Sequence, residues 1–253
     1  EFPFEDYLEG ETEELFPFAE SYYKEAETYF GKKFFYPVKM ARIFPGIEEQ
    51  NNWMAKTGSD FAGKYISSGN IIEERCLKNI KAPFGYGTVE KSGYIDLSAF
   101  ISSVNSQLEK ENKIIYRKFD NKEISINDNE VAVSEFKTKN IIFCEGWLIK
   151  NNPYFKDVKM VPAKGEILTI RAIGLPGNVI LHKGCFLLPK GNDTFIAGST
   201  FEWNELNEIT TEKAKNDLAE KIKDLVNVPF EVIHQQAGVR PATKDRKPVI
   251  GTH

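Results

Sequence analysis

Cysteine and histidine are both scarce in this sequence: its 253 residues contain three of each. The cysteines show no C-x-x-C spacing, and an odd, unpatterned set predicts reduced thiols and no disulfide framework. The histidines are scattered along the chain, which gives no support to a metal site. Because reduced thiols are typical of the cytoplasm, a cytoplasmic location is expected.

Long apolar runs are also missing, and none approaches the roughly 20 residues that a membrane-spanning helix needs. The sequence therefore predicts no membrane partner. The formal net charge is −4, from 33 Lys and Arg against 37 Asp and Glu. This acidic balance argues against nucleic acid as a partner, because a polyanion attracts basic surfaces. The length is sufficient for one large domain or two interleaved ones.

Glycine, proline and basic residues are concentrated in residues 237–251, which read A-G-V-R-P-A-T-K-D-R-K-P-V-I-G. Pro241 biases Arg240 toward an extended backbone. A guanidinium on a stiff backbone beside apolar residues can bind a carboxylate with its two-pronged fork of donors. The alternatives are a basic surface turn, or a structural ion pair made by Arg240.

The pattern A-G-x-R-P-x-T-x-D-x-x-P-x-I-G resembles the C-terminal signature of the flavin-dependent amine oxidoreductases, the family of D-amino-acid oxidase, glycine oxidase and sarcosine oxidase. Three further stretches match that family in the expected order: 141–147, then 161–166, then 186–189 followed by 196–200. The match over residues 1 to 90 is loose. Four ordered matches make the resemblance fairly specific.

The resemblance implies oxidation of an amino acid or amine, with hydride passing to FAD. Arg240 matches the family's carboxylate-binding arginine, so the implied substrate is a small carboxylate-bearing amine. Phe186 falls where glycine oxidase-like relatives carry a pocket tyrosine, and Trp147 follows the Gly146 turn. Both are expected at the substrate, with packing in the core as the alternative. Lys164-Gly165 is expected to be a structural turn first, with a role in the site as the alternative.

The same resemblance places Cys144, Gly146, Pro248 and Gly251 at the cofactor. Residues 140–144 have the apolar run of a buried strand, which would lead straight into Gly146. In the family, the small-residue end of this strand passes close to the flavin.

One family element is missing from the sequence, namely the G-x-G-x-x-G fingerprint that lets backbone approach the pyrophosphate at a helix N-terminus. Gly85-Tyr86-Gly87 is the only G-x-G, and Glu90 stands in the place of the third glycine. The sequence is therefore interpreted as the middle of a longer oxidoreductase. FAD is expected in the full-length parent, and this fragment is expected to be inactive.

The predicted fold class is α+β. A curved, mostly antiparallel sheet with helices would form the substrate domain, from residues 32–93 and 151–235. An incomplete α/β nucleotide-binding domain would take residues 1–31, 94–150 and 236–253. Exposed apolar surface between such pieces predicts self-association.

Two other functions fit the same residues. The chain could be a non-catalytic module that binds a carboxylate ligand or a partner protein. It could also belong to a tRNA-modification oxidoreductase of the same family, in which the amine is on a modified base. The acidic balance weighs against the second of these.

Overall fold

The computed structural model describes residues 11–127, 130–245 and 247–251. Five α-helices are assigned within these residues: α1 (Glu11–Phe30), α2 (Ile47–Thr57), α3 (Glu74–Leu77), α4 (Leu97–Lys110) and α5 (Glu212–Leu225). The first strands are β1 (Phe35–Pro37), β2 (Met40–Ile43), β3 (Ile66–Ser67), β4 (Tyr86–Val89), β5 (Gly93–Ile95), β6 (Ile124–Asn127), β7 (Glu130–Val133) and β8 (Phe136–Thr138). The later strands are β9 (Ala163–Arg171), β10 (Ile180–Lys183), β11 (Cys185–Gly191), β12 (Thr194–Gly198) and β13 (Glu231–Arg240).

The chain divides into two compact units. Among the described residues, the first unit takes 11–114, Leu168–Gly198 and Leu218–His234. The second unit takes the described residues from Ile115 to Ile167, Ser199–Asp217, and those from Gln235 onward. The chain crosses between the units within β9, α5 and β13.

The main feature of the first unit is an eight-stranded sheet in the order β13-β9-β12-β11-β10-β2-β4-β3. The neighbouring strands β13 and β9 each have residues in the second unit as well. The pair β10 and β2 is parallel. The pairs β10–β11, β11–β12, β2–β4 and β3–β4 are antiparallel. The predicted α+β class, with a mostly antiparallel sheet, is confirmed.

The core of the first unit forms where one face of this sheet meets a helix. Leu168 and Ile170 alternate with less buried neighbours along β9, as a half-buried strand requires. Leu218, Ile222 and Leu225 lie on one stripe of α5 and are fully buried in the same cluster. The helix begins after Thr211, whose hydroxyl accepts a hydrogen bond from Ala214 N at 3.2 Å, as expected of an N-cap.

The apolar spacing of residues 97–108 after Asp96 predicts a helix, and α4 confirms it. Asp96 precedes α4, and its side chain accepts a hydrogen bond from Ala99 N at 3.0 Å. Phe100 on this helix packs edge to face against Tyr23 and Phe34, with ring centroids 5.5 and 5.4 Å apart. None of the described helices is both long and apolar enough to cross a membrane.

The second unit holds a small antiparallel sheet in the order β6-β7-β8. The sequence predicts strands close to β6 and β7, and the turn predicted between them at 128–129 lies outside the described residues. The prediction of a buried strand over residues 140–144 is wrong. That segment has no regular structure, and Ile142 is 85% exposed and Cys144 is exposed. The run is apolar enough for a buried strand, but none of the described strands pairs with it.

Candidate functional site

The candidate site is built around Arg240, the last residue of β13, which is half-buried and precedes Pro241. Its Nη2 donates to Ser199 Oγ at 2.6 Å, and its Nη1 donates to the Thr200 carbonyl at 3.3 Å. Its guanidinium carbon lies 4.5 Å from the centre of the Phe201 ring. Three consecutive residues after β12 therefore hold one guanidinium in place.

The guanidinium packs directly against the backbone of Gly165. A Cβ at this position would lie 2.1 Å from Arg240 Nη2 and 2.4 Å from the guanidinium carbon, so no side chain fits. Gly165 lies inside β9 and not in the structural turn expected from the sequence. The motif in 161–166 marked the residue, but its role depends on a contact with a residue 75 positions further along the chain.

The guanidinium of Arg240 is partly buried and has no carboxylate partner among the described residues. Burial lowers the pKa of its guanidinium, and burial is the one cause identified for the shift. Within the described part of the chain, no carboxylate pairs with Arg240, so the structural ion pair considered for it is not found there. Arginine has five N–H donors. Ser199 and Thr200 take two of them, and the described residues provide no partner for the others.

An open groove of about 780 Å³ lies beside this arginine. All of its lining residues belong to the second unit: Gly165, Ile167, Glu208, Thr210 and residues 235–241. Glu208 is exposed in this groove, so a positive and a negative side chain both line it. The groove can accept an anionic group at Arg240, with room for a short substituent.

A charged cluster that the sequence did not predict lies beside Gly165. Lys164 and Glu166 are only 1% and 3% exposed as residues, and their charged atoms lie 3.7 Å apart. Lys164 Nζ donates to Asn207 Oδ1 at 3.0 Å, and Gln235 Nε2 donates to Glu166 Oε2 at 2.8 Å. The sequence K-G-E in β9 could have indicated this cluster, because residues two apart in a strand lie on the same face and here both are charged.

Two of the other predicted residues, Gly146 and Trp147, lie in the second unit, and Gly146 approaches Pro241, the residue after Arg240. Gly146 has a φ of +58°, which favours glycine, and a Cβ there would lie 4.0 Å from Pro241 Cβ. Trp147 is half-buried in the 3-10 turn Gly146–Asn151, with Lys150 Nζ 5.0 Å from its ring centre. The turn expected at Gly146 is thus present, and the substrate role of Trp147 stays a prediction.

Four predicted site residues remain: Phe186, Cys144, Pro248 and Gly251. Phe186 lies in β11 of the first unit, half-buried, and is paired with His182 and Gly198. Cys144, Pro248 and Gly251 are exposed, and nothing lies within 4 Å of where a Cβ on Gly251 would be. Their roles at the substrate and cofactor stay predictions.

The G-x-G of the chain does not fit the pyrophosphate part of FAD. Gly85 immediately precedes β4 and Gly87 lies within it, and a Cβ on Gly87 would lie 2.1 Å from the Trp53 indole. The space that this glycine leaves is filled by a ring and is closed to a phosphate group. The described residues also contain no group of three or more potential metal ligands.

Fold and site together define a class: an α+β protein with a mostly antiparallel sheet and a half-buried guanidinium that lines an open groove. The comparison with known families makes this specific. The family model of the FAD dependent oxidoreductases (DAO) matches residues 8–253, so this chain belongs to that family. FAD is accordingly the cofactor of the family, and the resemblance inferred from the sequence is confirmed.

The chain is similar to glycine oxidase of Bacillus subtilis (strain 168), with 28% identity over 96 residues, which is 37% of this chain and 26% of that protein. Glycine oxidase of Bacillus licheniformis is 30% identical over 103 residues, covering 38% of this chain and 27% of that protein. The matched part is thus about a quarter of the length of these relatives.

Solved structures share the fold at low identity. Glycine oxidase from Bacillus cereus ATCC 14579 superposes with a TM-score of 0.73 at 17% identity, over 94% of this chain and 69% of that one. L-amino acid deaminase from Proteus vulgaris gives a TM-score of 0.70 at 15% identity, over 96% of this chain and 74% of that one. These likenesses establish the fold of the chain.

Proposed function

We propose that this chain provides the substrate-binding part of an FAD-dependent oxidoreductase of the amino-acid oxidase type, and that Arg240 binds the carboxylate of a small amine substrate. One observation carries the proposal: the Arg240 guanidinium is partly desolvated, held over Gly165, and not paired with any described carboxylate. A desolvated guanidinium gains most from an anionic ligand, since charge-assisted hydrogen bonds strengthen where water is excluded.

Each neighbour of Arg240 has a part in this proposal. Ser199 and Thr200 fix the plane of the guanidinium, and the Phe201 ring covers one face of it. The donors left over then form the fork that a carboxylate accepts. Glu208, in the same groove, is a suitable partner for the positive amine of the substrate. The names of the relatives, glycine oxidase and L-amino acid deaminase, fit this substrate class.

The redox step lies outside what these residues supply. FAD, when bound, would accept the hydride from the substrate carbon. The space at Gly87 is filled by Trp53, and the sequence has no G-x-G-x-x-G, so the described glycines offer no pyrophosphate site for the flavin. We propose that the 253 residues by themselves bind substrate and do not oxidise it.

The carboxylate proposal is tested by calorimetric titration of the purified chain with glycine, acetate and methylamine. Glycine and acetate should bind, and methylamine should not. Arg240→Met should weaken glycine binding by roughly 2–5 kcal/mol, the cost of removing one partner of a desolvated charged pair. Arg240→Lys keeps the charge but loses the two parallel donors, so its glycine affinity should lie between those of the wild type and Arg240→Met.

Equal binding of glycine by the wild type and Arg240→Met would refute the proposal. So would binding of methylamine as tight as that of acetate, since the site would then recognise the amine and not the carboxylate.

A further inference from the structure

The buried pair Lys164 and Glu166 has no part in the chemistry described so far. The two side chains are 2% and 3% exposed and flank Gly165 in sequence. Side chains alternate between the faces of a strand, so the pair points away from the face on which Gly165 meets the guanidinium. Charges are seldom buried this deeply unless they are paired and hydrogen-bonded.

Lys164 fastens the segment 199–211 at two places. Its backbone exchanges both hydrogen bonds with Glu202, at 2.7 and 2.9 Å. Its Nζ donates to Asn207 Oδ1 at 3.0 Å, and the same oxygen accepts from Ile209 N at 2.9 Å. One lysine thus joins the two halves of the segment to β9.

Glu166 fastens the same segment at its ends. Its N–H donates to Thr200 Oγ1 at 2.9 Å, and its carbonyl accepts from Thr200 N at 3.2 Å. Its carboxylate accepts from both Thr211 N and Thr211 Oγ1 at 2.9 Å. Gln235 Nε2, donating to the carboxylate and to the Thr211 carbonyl, ties β13 to the same point.

The segment held in this way carries the groups that orient Arg240, namely Ser199 Oγ, the Thr200 carbonyl and the Phe201 ring. We infer that Lys164 and Glu166 are positioning residues for the carboxylate site: they fix segment 199–211 on β9, so that the guanidinium is already oriented before substrate arrives. The inference rests on the proposed function. It adds that carboxylate affinity depends on a charge pair that does not touch the substrate.

The test compares glycine affinity and backbone amide exchange in the intact chain, both measured well below the unfolding midpoint of every variant. Lys164→Met leaves Glu166 buried without its cation. It should weaken glycine binding about tenfold and speed amide exchange within 199–211, because small misplacements of a binding group cost large factors in affinity. Lys164→Arg keeps the charge and should bind more tightly than Lys164→Met.

A double variant separates positioning from general destabilisation. In Lys164→Met/Glu166→Gln the buried charge is gone, and the new amide can still accept from Thr211 N and donate to the Thr211 hydroxyl. It should recover most of the glycine affinity that Lys164→Met loses. Leu218→Ala is the matched control, because it removes a fully buried side chain of the first unit. It should lower the unfolding midpoint without changing glycine affinity.

The outcomes are distinct. Wild-type protein that binds neither glycine nor acetate overturns the proposed function, and this inference with it. Wild-type binding with unchanged affinity in Lys164→Met overturns the inference alone. Equal losses of affinity in Lys164→Met and Leu218→Ala also overturn it, because the pair would then act only through overall stability.

Discussion

At the scale of single residues, the site depends on how closely the Arg240 guanidinium packs against Gly165 and against residues 199–200. Gly165 leaves the space that Arg240 fills, and Ser199 and Thr200 fix the direction in which the guanidinium points. Under the proposed function, a carboxylate that approaches the guanidinium meets donors that need little further ordering. The cost of orienting a flexible arginine has been met during folding, which improves affinity.

Gly165→Ala should therefore remove the site while leaving the fold in place. The added methyl would lie 2.1 Å from Nη2, so the guanidinium must leave its position. Glycine affinity should fall at least about tenfold, and stability should fall by roughly 1–3 kcal/mol, as in other overpacked sites. Calorimetry with glycine and urea unfolding measure the two effects.

Gly177→Ala is the control for this substitution, because nothing lies within 4 Å of its added methyl group. If Gly165→Ala bound glycine as tightly as the wild type, the guanidinium would not occupy its described place when the ligand is bound.

The sequence singles out Arg240 because its signal is local: a short motif with a proline that restrains the backbone. Its role at the substrate stays a prediction. The motif at 161–166 marks Gly165 as well, but not its contact with the guanidinium, because Arg240 lies far along the chain. No local pattern shows that Lys164 and Glu166 form a buried pair, because their partners lie in segment 199–211 and in β13.

At the scale of secondary structure, the parallel pairing of β2 and β10 places Arg42 beside His182. Arg42 Nη1 hydrogen-bonds to His182 Nδ1, and Arg42 also binds Glu49 through Nε at 2.6 Å and Nη2 at 3.2 Å. Burial, and then the charge of Arg42, lower the pKa of His182 to about 4. The imidazole is thus neutral in the folded protein at neutral pH.

This shift predicts how acid affects stability. In the unfolded chain His182 has an ordinary pKa of about 6.5, so between about pH 6.5 and 4 the unfolded state binds more protons. The stabilising contribution is complete above about pH 6.5 and is lost as the pH falls toward 4. A shift of this size corresponds to at most roughly 3 kcal/mol.

Urea unfolding at a series of pH values measures this effect. His182→Gln, which can still accept from Arg42, should lose less stability between pH 6.5 and 4 than the wild type. His234→Gln is the control, since His234 is exposed on β13. Parallel pH profiles for the wild type and His182→Gln would contradict the assignment of a neutral His182.

Helices whose apolar residues recur at helical spacing could be predicted from the sequence. Strands that need a partner from a distant part of the chain could not. The apolar spacing and Asp96 cap predicted α4, and the stripe of α5 was equally clear. Pro17 is expected to open a helix, because a proline at the first helical position loses no needed N–H, but α1 is described from Glu11 and includes that proline. The strand expected at 140–144 failed because an apolar run does not show whether a partner strand is available.

At the scale of the whole molecule, the family is established by a match that covers residues 8–253, and the fold by superpositions with TM-scores near 0.7. The division into alternating cofactor and substrate segments stays a prediction, as does self-association through apolar surface. What the structure adds is a groove beside Arg240 whose lining residues all lie within one unit of this chain, and its role at the substrate stays a proposal.

A glycine titration of the wild-type chain, carried out with and without added FAD, tests this account most directly. The account predicts saturable glycine binding in the absence of FAD, and a protein that remains colourless after excess FAD is removed by gel filtration. Glycine binding that appears only when FAD is present would contradict it, because the carboxylate site would then not be complete in the residues around Arg240.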